Sequence, residues 1–408
     1  MPMLHQFAAA CLWLSLGGIV YAYAIYPAIL WALSKCFGRT SNPAPLGEDA
    51  LPFISLLIAA HNEQAVIHRR IHNALELDYP NGKLEIVIAS DGSTDSTAEF
   101  ARQYAQQGVR LLDYKNRRGK AAVLSAAMKE VRGTLVVLSD ANTFTDPAAV
   151  KSLVRWFADK RIGAVCGRLV LQDPDTGKNA DGLYWRYETF LKTMESRLGA
   201  LLGSNGAIYA IRADLFPEIS SATIVEDFVI PLLARLRTGC RIVYDDSAVA
   251  REESAADIQS EFRRRVRIGA GDFQAFRTLW PLLDPRRGWI AFTFFSHKVL
   301  RWLGPLMLLA ALIANGALLD SKFYRGIGLM QLAGYAIAAA GAFAPKGVPG
   351  WKLLRLCNLF VSMNAALLIG YVLFLFGSAT SAWKPTRRSK APEPQATDSA
   401  VVAAEAAE

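Results

Sequence analysis

Apolar positions dominate both ends of the chain and alternate with polar ones through its middle. From about Phe7 to Leu33 the chain is almost free of charge, longer than the roughly 20 residues that cross a bilayer. No basic start or small-residue cleavage site marks it as a secretory signal, so residues 1–40 are expected to be kept as a membrane anchor. Lys35 and Arg39 follow it and Met1 to Gln6 carry no Lys or Arg, which places the N-terminus outside and the next domain in the cytoplasm. Residues 41–51, with two prolines and a glycine, read as a linker. Apolar runs return near Leu300–Leu319, Ile327–Phe343 and Leu359–Phe376, which predicts about three further spans within residues 281–380. Trp289 to Arg301 mixes aromatics with His297, Lys298 and Arg301 and reads as an interfacial amphipathic helix, with an ordinary soluble helix as the competing account.

Topology at the C-terminal end stays open. Lys346, Lys352 and Arg355 would be cytoplasmic if spans simply alternate, and the basic stretch Lys384 to Lys390 would then lie outside, against the charge rule. Residues 381–408, rich in Ala, Glu and Pro, are expected to be a disordered tail.

Between the apolar ends the period changes. Runs at Phe53–Ala59, Leu84–Ile88, Val109–Leu112 and Leu135–Leu138 predict strands, and Glu63–Leu77, Ser96–Gln107 and Lys120–Val131 predict helices between them. That alternation argues for a parallel sheet with helices on both faces. No G-x-G-x-x-G follows the first strand, and Gly119-Lys120 lacks the rest of a P-loop, so a nucleotide here would be met by carboxylates where a P-loop uses backbone amides.

Composition sharpens this picture in three respects. The chain is 52% hydrophobic and the surplus lies at its ends, as membrane segments around a soluble middle require. A formal charge of +9 suits anionic membrane lipids or phosphorylated ligands, whereas the basic residues are not interleaved with aromatics as in nucleic-acid modules. Cys11, Cys36, Cys166, Cys240 and Cys357 show no C-x-x-C spacing, so neither a disulfide framework nor a zinc site is expected and the middle domain reads as reduced.

Acids recur where strands end. LEIVIASDGSTDST (Leu84–Thr97) delivers Asp91 to a turn at Gly92, with Ser93, Thr94 or Asp95 as caps of the following helix. An ionised Asp91 accepts hydrogen bonds only, which suits a ribose hydroxyl or a pyrimidine N–H; helix capping is the alternative. ISLLIAAHNEQAVI (Ile54–Ile67) ends its strand in Asn62 and Glu63, and Asn62 could equally cap a helix. VVLSDANTFTD (Val136–Asp146) offers Asp140 and Asn142, oxygen ligands for Mg²⁺ or Mn²⁺ beside a diphosphate, or an ordinary turn. SATIVEDFVIPLLARL (Ser220–Leu236) opens a helix with Glu226-Asp227, where Asp227 is placed to act as a general base or merely to balance the helix dipole. EFRRRVRIGAGDFQAF (Glu261–Phe276) carries Arg263, Arg264, Arg265 and Arg267, suited to a diphosphate or to a lipid-facing patch.

The set SLLIAAHNE, IASDGSTDST, NRRGKAAVLSAA (Asn116–Ala127), LSDANT, GSNGAIYAIR (Gly203–Arg212), VED and FRRRVRIG resembles the membrane-bound family 2 glycosyltransferases, among them cellulose, chitin and hyaluronan synthases and exopolysaccharide transferases. The similarity covers about Pro52 to Phe276, in the family's order. It implies an α/β GT-A (Rossmann-like) cytosolic domain over residues 52–280, flanked by transmembrane helices in the inner (plasma) membrane. It also implies a nucleotide-sugar donor, commonly UDP-linked, a divalent metal (Mg²⁺ or Mn²⁺) and inversion at the anomeric carbon. By position, Glu63, Asp91, Asp140, Lys120 and Arg265 match the donor site, and Asp140 with Asn142 the metal motif. Asp227, beside Glu226, matches the catalytic base, and Gly206 to Arg212 the acceptor side.

Three departures qualify the resemblance. Asn142 stands where the family has a second acid, which weakens metal binding; Val225 replaces a threonine; Phe262 and Val266 replace Gln and Trp. The missing tryptophan and the few spans argue for addition of one or a few sugars to a lipid-linked or saccharide acceptor, over a processive synthase. Other polysaccharide-assembly proteins are potential partners; no nucleic acid is expected. A membrane protein that only binds a nucleotide-sugar or a partner enzyme is the rival from another class.

Overall fold

The computed structural model describes residues 2–40, 42–173, 182–254, 258–343 and 350–378; Lys346, the basic stretch Lys384 to Lys390 and the tail expected to be disordered lie outside them. β1 (Ile54–Ala60), β2 (Leu84–Asp91), β3 (Val109–Tyr114) and β4 (Leu135–Asp140) stand where the apolar runs predict strands. Four more were not foreseen: β5 (Thr143–Thr145), β6 (Ile162–Gln172), β7 (Tyr209–Arg212) and β8 (Arg241–Glu253). All eight form one sheet in the order β3-β2-β1-β4-β7-β6-β8-β5.

The sheet is mixed, which corrects the parallel sheet read from sequence. β1 to β4 pair in parallel, but β7 runs antiparallel to both β4 and β6, and β5 antiparallel to β8. The loop before β7 already lies at the carboxyl edge, where a Cβ on Gly206 would come 2.9 Å from Asp140 Oδ2. A strand entering from that edge can only run back down the sheet.

Alternation along each strand feeds two cores. Leu57, Ala59, Val87, Ala89, Val136 and Leu138 face the helices that lead to the apolar segments, while Leu56, Ile58, Ile86, Ile88 and Val137 face the other layer. The first three helices are shorter than expected, at Ile67–Leu75, Thr97–Arg102 and Lys120–Ala127. Before the first of them the chain turns through Asn62, whose φ of 53° is left-handed.

Among the described residues three helical segments are long and apolar enough to cross a membrane: Met3–Phe37, Lys322–Phe343 and Leu353–Leu375. The N-terminal one passes through a π-helical stretch, Tyr21–Ile25, just before Pro27, whose missing N–H interrupts the regular ladder. The run at Leu300–Leu319 holds a bend near its start, where the stretch read as interfacial gives way to the helix Gly304–Gly316. Trp289–Trp302 and Gly304–Gly316 meet at 57°, at Gly304-Pro305, where proline cannot continue the preceding helix. The interfacial stretch within Trp289–Trp302 buries His297 against Glu195, 2.6 Å away, on the helix Leu183–Arg197.

The helix Ile258–Leu279 packs lengthwise on the span Leu353–Leu375 with no side chain between them at one point. A Cβ on Gly370 would meet only backbone there, Ala270 N at 2.6 Å and Val266 O at 2.7 Å. Gly370→Ala should therefore lower stability by about 1–3 kcal/mol, the usual cost of overpacking. Gly326→Ala, with nothing within 4 Å of its Cβ, should leave it unchanged. Thermal unfolding in detergent reads both.

Candidate active site

The carboxyl ends of β1, β2 and β4 bring the first group of candidates together. β2 ends in Asp91, buried, and β4 in Asp140, partly open to solvent. Asp91 does not cap the helix that follows it. Its two carboxylate oxygens accept the backbone N–H groups of Arg118 (2.6 Å) and Gly119 (2.9 Å), closing the loop that precedes Lys120. The cap region of Thr97–Arg102 is served by Asp95, whose Oδ1 accepts Thr97 N at 3.0 Å. Asn62 caps no helix either; its Oδ1 accepts Thr94 N (2.8 Å), tying the loop after β1 to the loop after β2. Glu63 is buried beside them, its N–H donated to Thr97 Oγ1.

Lys120 is the hub. It opens its helix after Gly119, whose φ of 88° favours glycine, and its Nζ lies 2.7 Å from Asp140 Oδ1 and 2.5 Å from Glu226 Oε1. Burial pulls this ammonium down, but Asp140, Glu226 and Asp227 more than offset that and hold it well above its usual value. It therefore stays charged. A small pocket lined by Lys120, Ser139, Asp140, Gly206, Tyr209 and Glu226 opens at this point.

Glu226 and Asp227 begin the helix Glu226–Thr238, as expected. Asp227 is half-buried, and its own Oδ1 accepts Phe228 N at 3.0 Å. Burial pushes its carboxyl up to about 6, with Glu226 and Asp140 adding to the rise and Lys120 opposing it. A carboxylate poised there can take a proton from a hydroxyl near neutral pH.

Other candidates are dispersed. Gly206 stands over the Lys120–Asp140 pair, and a Cβ there would lie 3.3 Å from Lys120 Nζ. Arg212 sits at the opposite edge of the sheet, opposite Leu135, its guanidinium spent on the carbonyls of Ile162, Phe157 and Asp159. Arg265 bonds Glu261 and lies over the Tyr184 ring.

Arg264 and Arg267 stand one turn apart on the same helix, and Arg264, like Arg265, bonds Glu261, its Nε 3.1 Å from Oε2. Burial lowers Arg267, and Glu226, Asp227 and Asp140 pull it back, so it lies within their electrostatic reach; Arg264 is likewise raised by Glu261, Glu252 and Asp140 against its burial. Gly271 extends that face and packs on Ile224 and Val225, just before Glu226. The 264-267-271 spacing, one helical face, is the signal by which sequence could have singled them out.

For a divalent ion the protein supplies little. Among the described residues no group of three or more His, Cys, Asp or Glu side chains is gathered to hold one. Asp140 brings a carboxylate, and Asn142 donates its amide nitrogen to Glu252 Oε1 (2.7 Å), leaving its oxygen as the end to face a cation. Such a set fits an ion that arrives with most of its oxygen ligands on a diphosphate and water, as Mg²⁺ commonly does.

The raised carboxyl of Asp227 has a stability consequence with a definite sign. Its folded value lies above the unfolded 3.8, so the folded chain holds this proton more tightly, and the contribution is present at acid pH and lost as pH rises through about 6. Asp227→Asn should therefore be more stable than the parent by about 1–3 kcal/mol at pH 8 and show no such gain at pH 4. Melting curves at the two pH values check it.

Residues 55–217 match the family model described as Glycosyl transferase family 2. Beta-monoglucosyldiacylglycerol synthase of Nostoc sp. is 33% identical over 138 residues, 33% of this chain and 30% of that protein. Poly-beta-1,6-N-acetyl-D-glucosamine synthase of Staphylococcus aureus is 26% identical over 264 residues, 61% of this chain and 63% of that one. The chain thus spans less than two thirds of the length of these relatives. In fold it resembles a mannosyltransferase of Pyrobaculum calidifontis, solved in complex with GDP-Man and Mn2+. The TM-score is 0.67 at 22% identity, over 92% of this chain and 99% of that one. The family match ends at Pro217, before Glu226-Asp227 and the arginine helix. The residues matched to the family model run from β1 past β7 and hold Lys120 and Asp140 of the cluster.

Proposed function

We propose that this chain transfers a sugar from a nucleotide-sugar, UDP-linked, to an acceptor at the membrane surface, with inversion, in glycolipid or exopolysaccharide synthesis. The observation that carries the reading is the gathering of Asp140, Glu226 and Asp227 around Lys120 at the carboxyl edge of the sheet. That edge adjoins a helix, Ile258–Leu279, docked on an apolar segment long enough to cross a bilayer. Donor and lipid-borne acceptor can meet there.

In this mechanism Asp227 takes the proton of the acceptor hydroxyl, whose oxygen forms the new bond to the anomeric carbon as the bond to the nucleoside diphosphate breaks. Glu226, ion-paired with Lys120, fixes the first turn of the helix and so the position of Asp227. Arg264 and Arg267 bring positive charge to the departing diphosphate. Asp91 holds the loop ahead of Lys120 and, with Glu63, borders the place for ribose and base. A divalent ion, Mg²⁺ or Mn²⁺, held at Asp140 and Asn142 would add Lewis-acid neutralisation of the leaving group.

The reading places the protein in the inner (plasma) membrane with its catalytic domain on the cytoplasmic side, where nucleotide-sugars are made. Polymerisation is a second reading, favoured by the alignment with the poly-N-acetylglucosamine synthase. Phe262 and Val266, in place of Gln and Trp, favour addition of one or a few sugars.

Turnover of labelled UDP-glucose, UDP-N-acetylglucosamine and GDP-mannose by membranes containing the chain tests this, with Mg²⁺, with Mn²⁺ and with chelator. A chelator-sensitive product in the lipid phase is expected from a UDP-sugar; a long insoluble product would favour polymerisation, and no product from any donor would count for a binding protein. Asp227→Asn should lower turnover at least about a thousandfold while nucleotide still binds. Arg267→Ala should cost at least about tenfold in kcat/KM for the donor, and Arg265→Ala less. Equal effects at the two arginines would overturn the assignment of the diphosphate side.

A further inference from the structure

We propose that Lys120 is a resident counter-cation that fills the cation place between Asp140 and Glu226, so that a divalent ion binds this chain only together with a nucleoside diphosphate. The proposal rests on the transferase reading and deepens it, by making metal and nucleotide binding one coupled event.

The ammonium lies 2.7 Å from Asp140 Oδ1 and 2.5 Å from Glu226 Oε1, contact distances for both ion pairs. Its backbone cannot easily drift, because Asp91 accepts the N–H groups of the two residues before it. Gly206 keeps the space beside the pair clear, since any Cβ would come 2.9 Å from Asp140 Oδ2. The position is thus built for a cation in contact with Asp140, and a side chain already supplies one.

A divalent ion approaching Asp140 alone meets three obstacles. Lys120 already neutralises the carboxylate and repels a second positive charge at close range. Asn142 brings a neutral oxygen where a second carboxylate would bring charge, and its nitrogen is engaged by Glu252. Among the described residues no third ligand of the His, Cys, Asp or Glu type completes a set. A diphosphate removes all three obstacles at once. It brings oxygen ligands for the ion, and its negative charges can accept the Lys120 ammonium as the ion takes up Asp140. Because the coupling is a free energy, the ion must then tighten nucleotide binding by the same factor as the nucleotide tightens the ion.

The test is a Mn²⁺ titration of the full chain in detergent, following free Mn²⁺ by electron paramagnetic resonance, alone and with UDP or GDP. Mn²⁺ affinity of the parent should rise at least about tenfold with one of the nucleotides. Lys120→Met should bind Mn²⁺ without nucleotide at least about tenfold more tightly than the parent, whereas Lys120→Arg, which keeps the charge, should not. Equal Mn²⁺ affinity of the parent with and without both nucleotides overturns the proposal and needs no variant. So does a folded Lys120→Met protein that binds Mn²⁺ no better than the parent. Coupled binding without sugar transfer would fault the transferase reading and leave this inference standing.

Discussion

An ammonium ion between two carboxylates, Lys120 with Asp140 and Glu226, is the contact on which the arrangement of the site depends. The three residues come from the start of one helix, the end of β4 and the start of another helix, more than a hundred residues further on. Without the ammonium, Asp140, Glu226 and Asp227 would face one another in a partly desolvated cleft, and the helix Glu226–Thr238 would be pushed from the sheet edge. Removing one partner from such a buried set costs far more than the net worth of the pair, because the remaining charges stay unpaired. The neighbouring devices serve this contact: the positive φ at Gly119, the amides capped by Asp91, and the space kept by Gly206.

The two faces of the sheet divide the labour. One face packs on helices enclosed within the soluble domain; the other packs on Glu226–Thr238 and Ile258–Leu279, and through the latter on an apolar segment. The close backbone contact at Gly269 and Gly370 sets how near the arginine-bearing helix lies to the apolar segment Leu353–Leu375, and the packing of Gly271 on Ile224 and Val225 sets how it sits against the acids. The position of the arginine-bearing helix is therefore linked to the apolar segment Leu353–Leu375 and to the start of Glu226–Thr238 through two points of helix contact. Loss of either would move Arg264 and Arg267 relative to Asp227.

Sequence reading found the parts governed by local pattern. The β-branched runs ending in Asp91 and Asp140 became strands of a sheet edge, and Glu226-Asp227 opened a helix, because hydrophobic period and helix-start chemistry are local properties. It did not find β6, β7 and β8, whose strand character depends on pairing with distant partners, nor the reversal of β7 that makes the sheet mixed. The bend at Gly304-Pro305 falls close to where the sequence divides the stretch ending at Arg301 from the apolar run, although hydropathy does not register its 57° angle. In the arginine cluster, residue type alone could not decide between Arg265 and its neighbours. Helical phase separates them: Arg265 lies over Tyr184, whereas Arg267, two residues on, is within electrostatic reach of Glu226, Asp227 and Asp140.

Asn142, an amide two residues beyond Asp140, is consistent with its surroundings. Its amide nitrogen donates to Glu252, which belongs to β8, the strand that pairs with β5 just beyond Asn142. An aspartate at 142 would set a second carboxylate against Glu252 at about this distance. The amide resolves that conflict by turning a repulsion into a hydrogen bond, and it lowers the negative charge of the cleft by one. A cleft balanced in this way, with one lysine among three acids and an amide beside them, holds itself together without a metal ion. Under the proposed function, the negative charge that would call a metal in comes from the diphosphate of the donor.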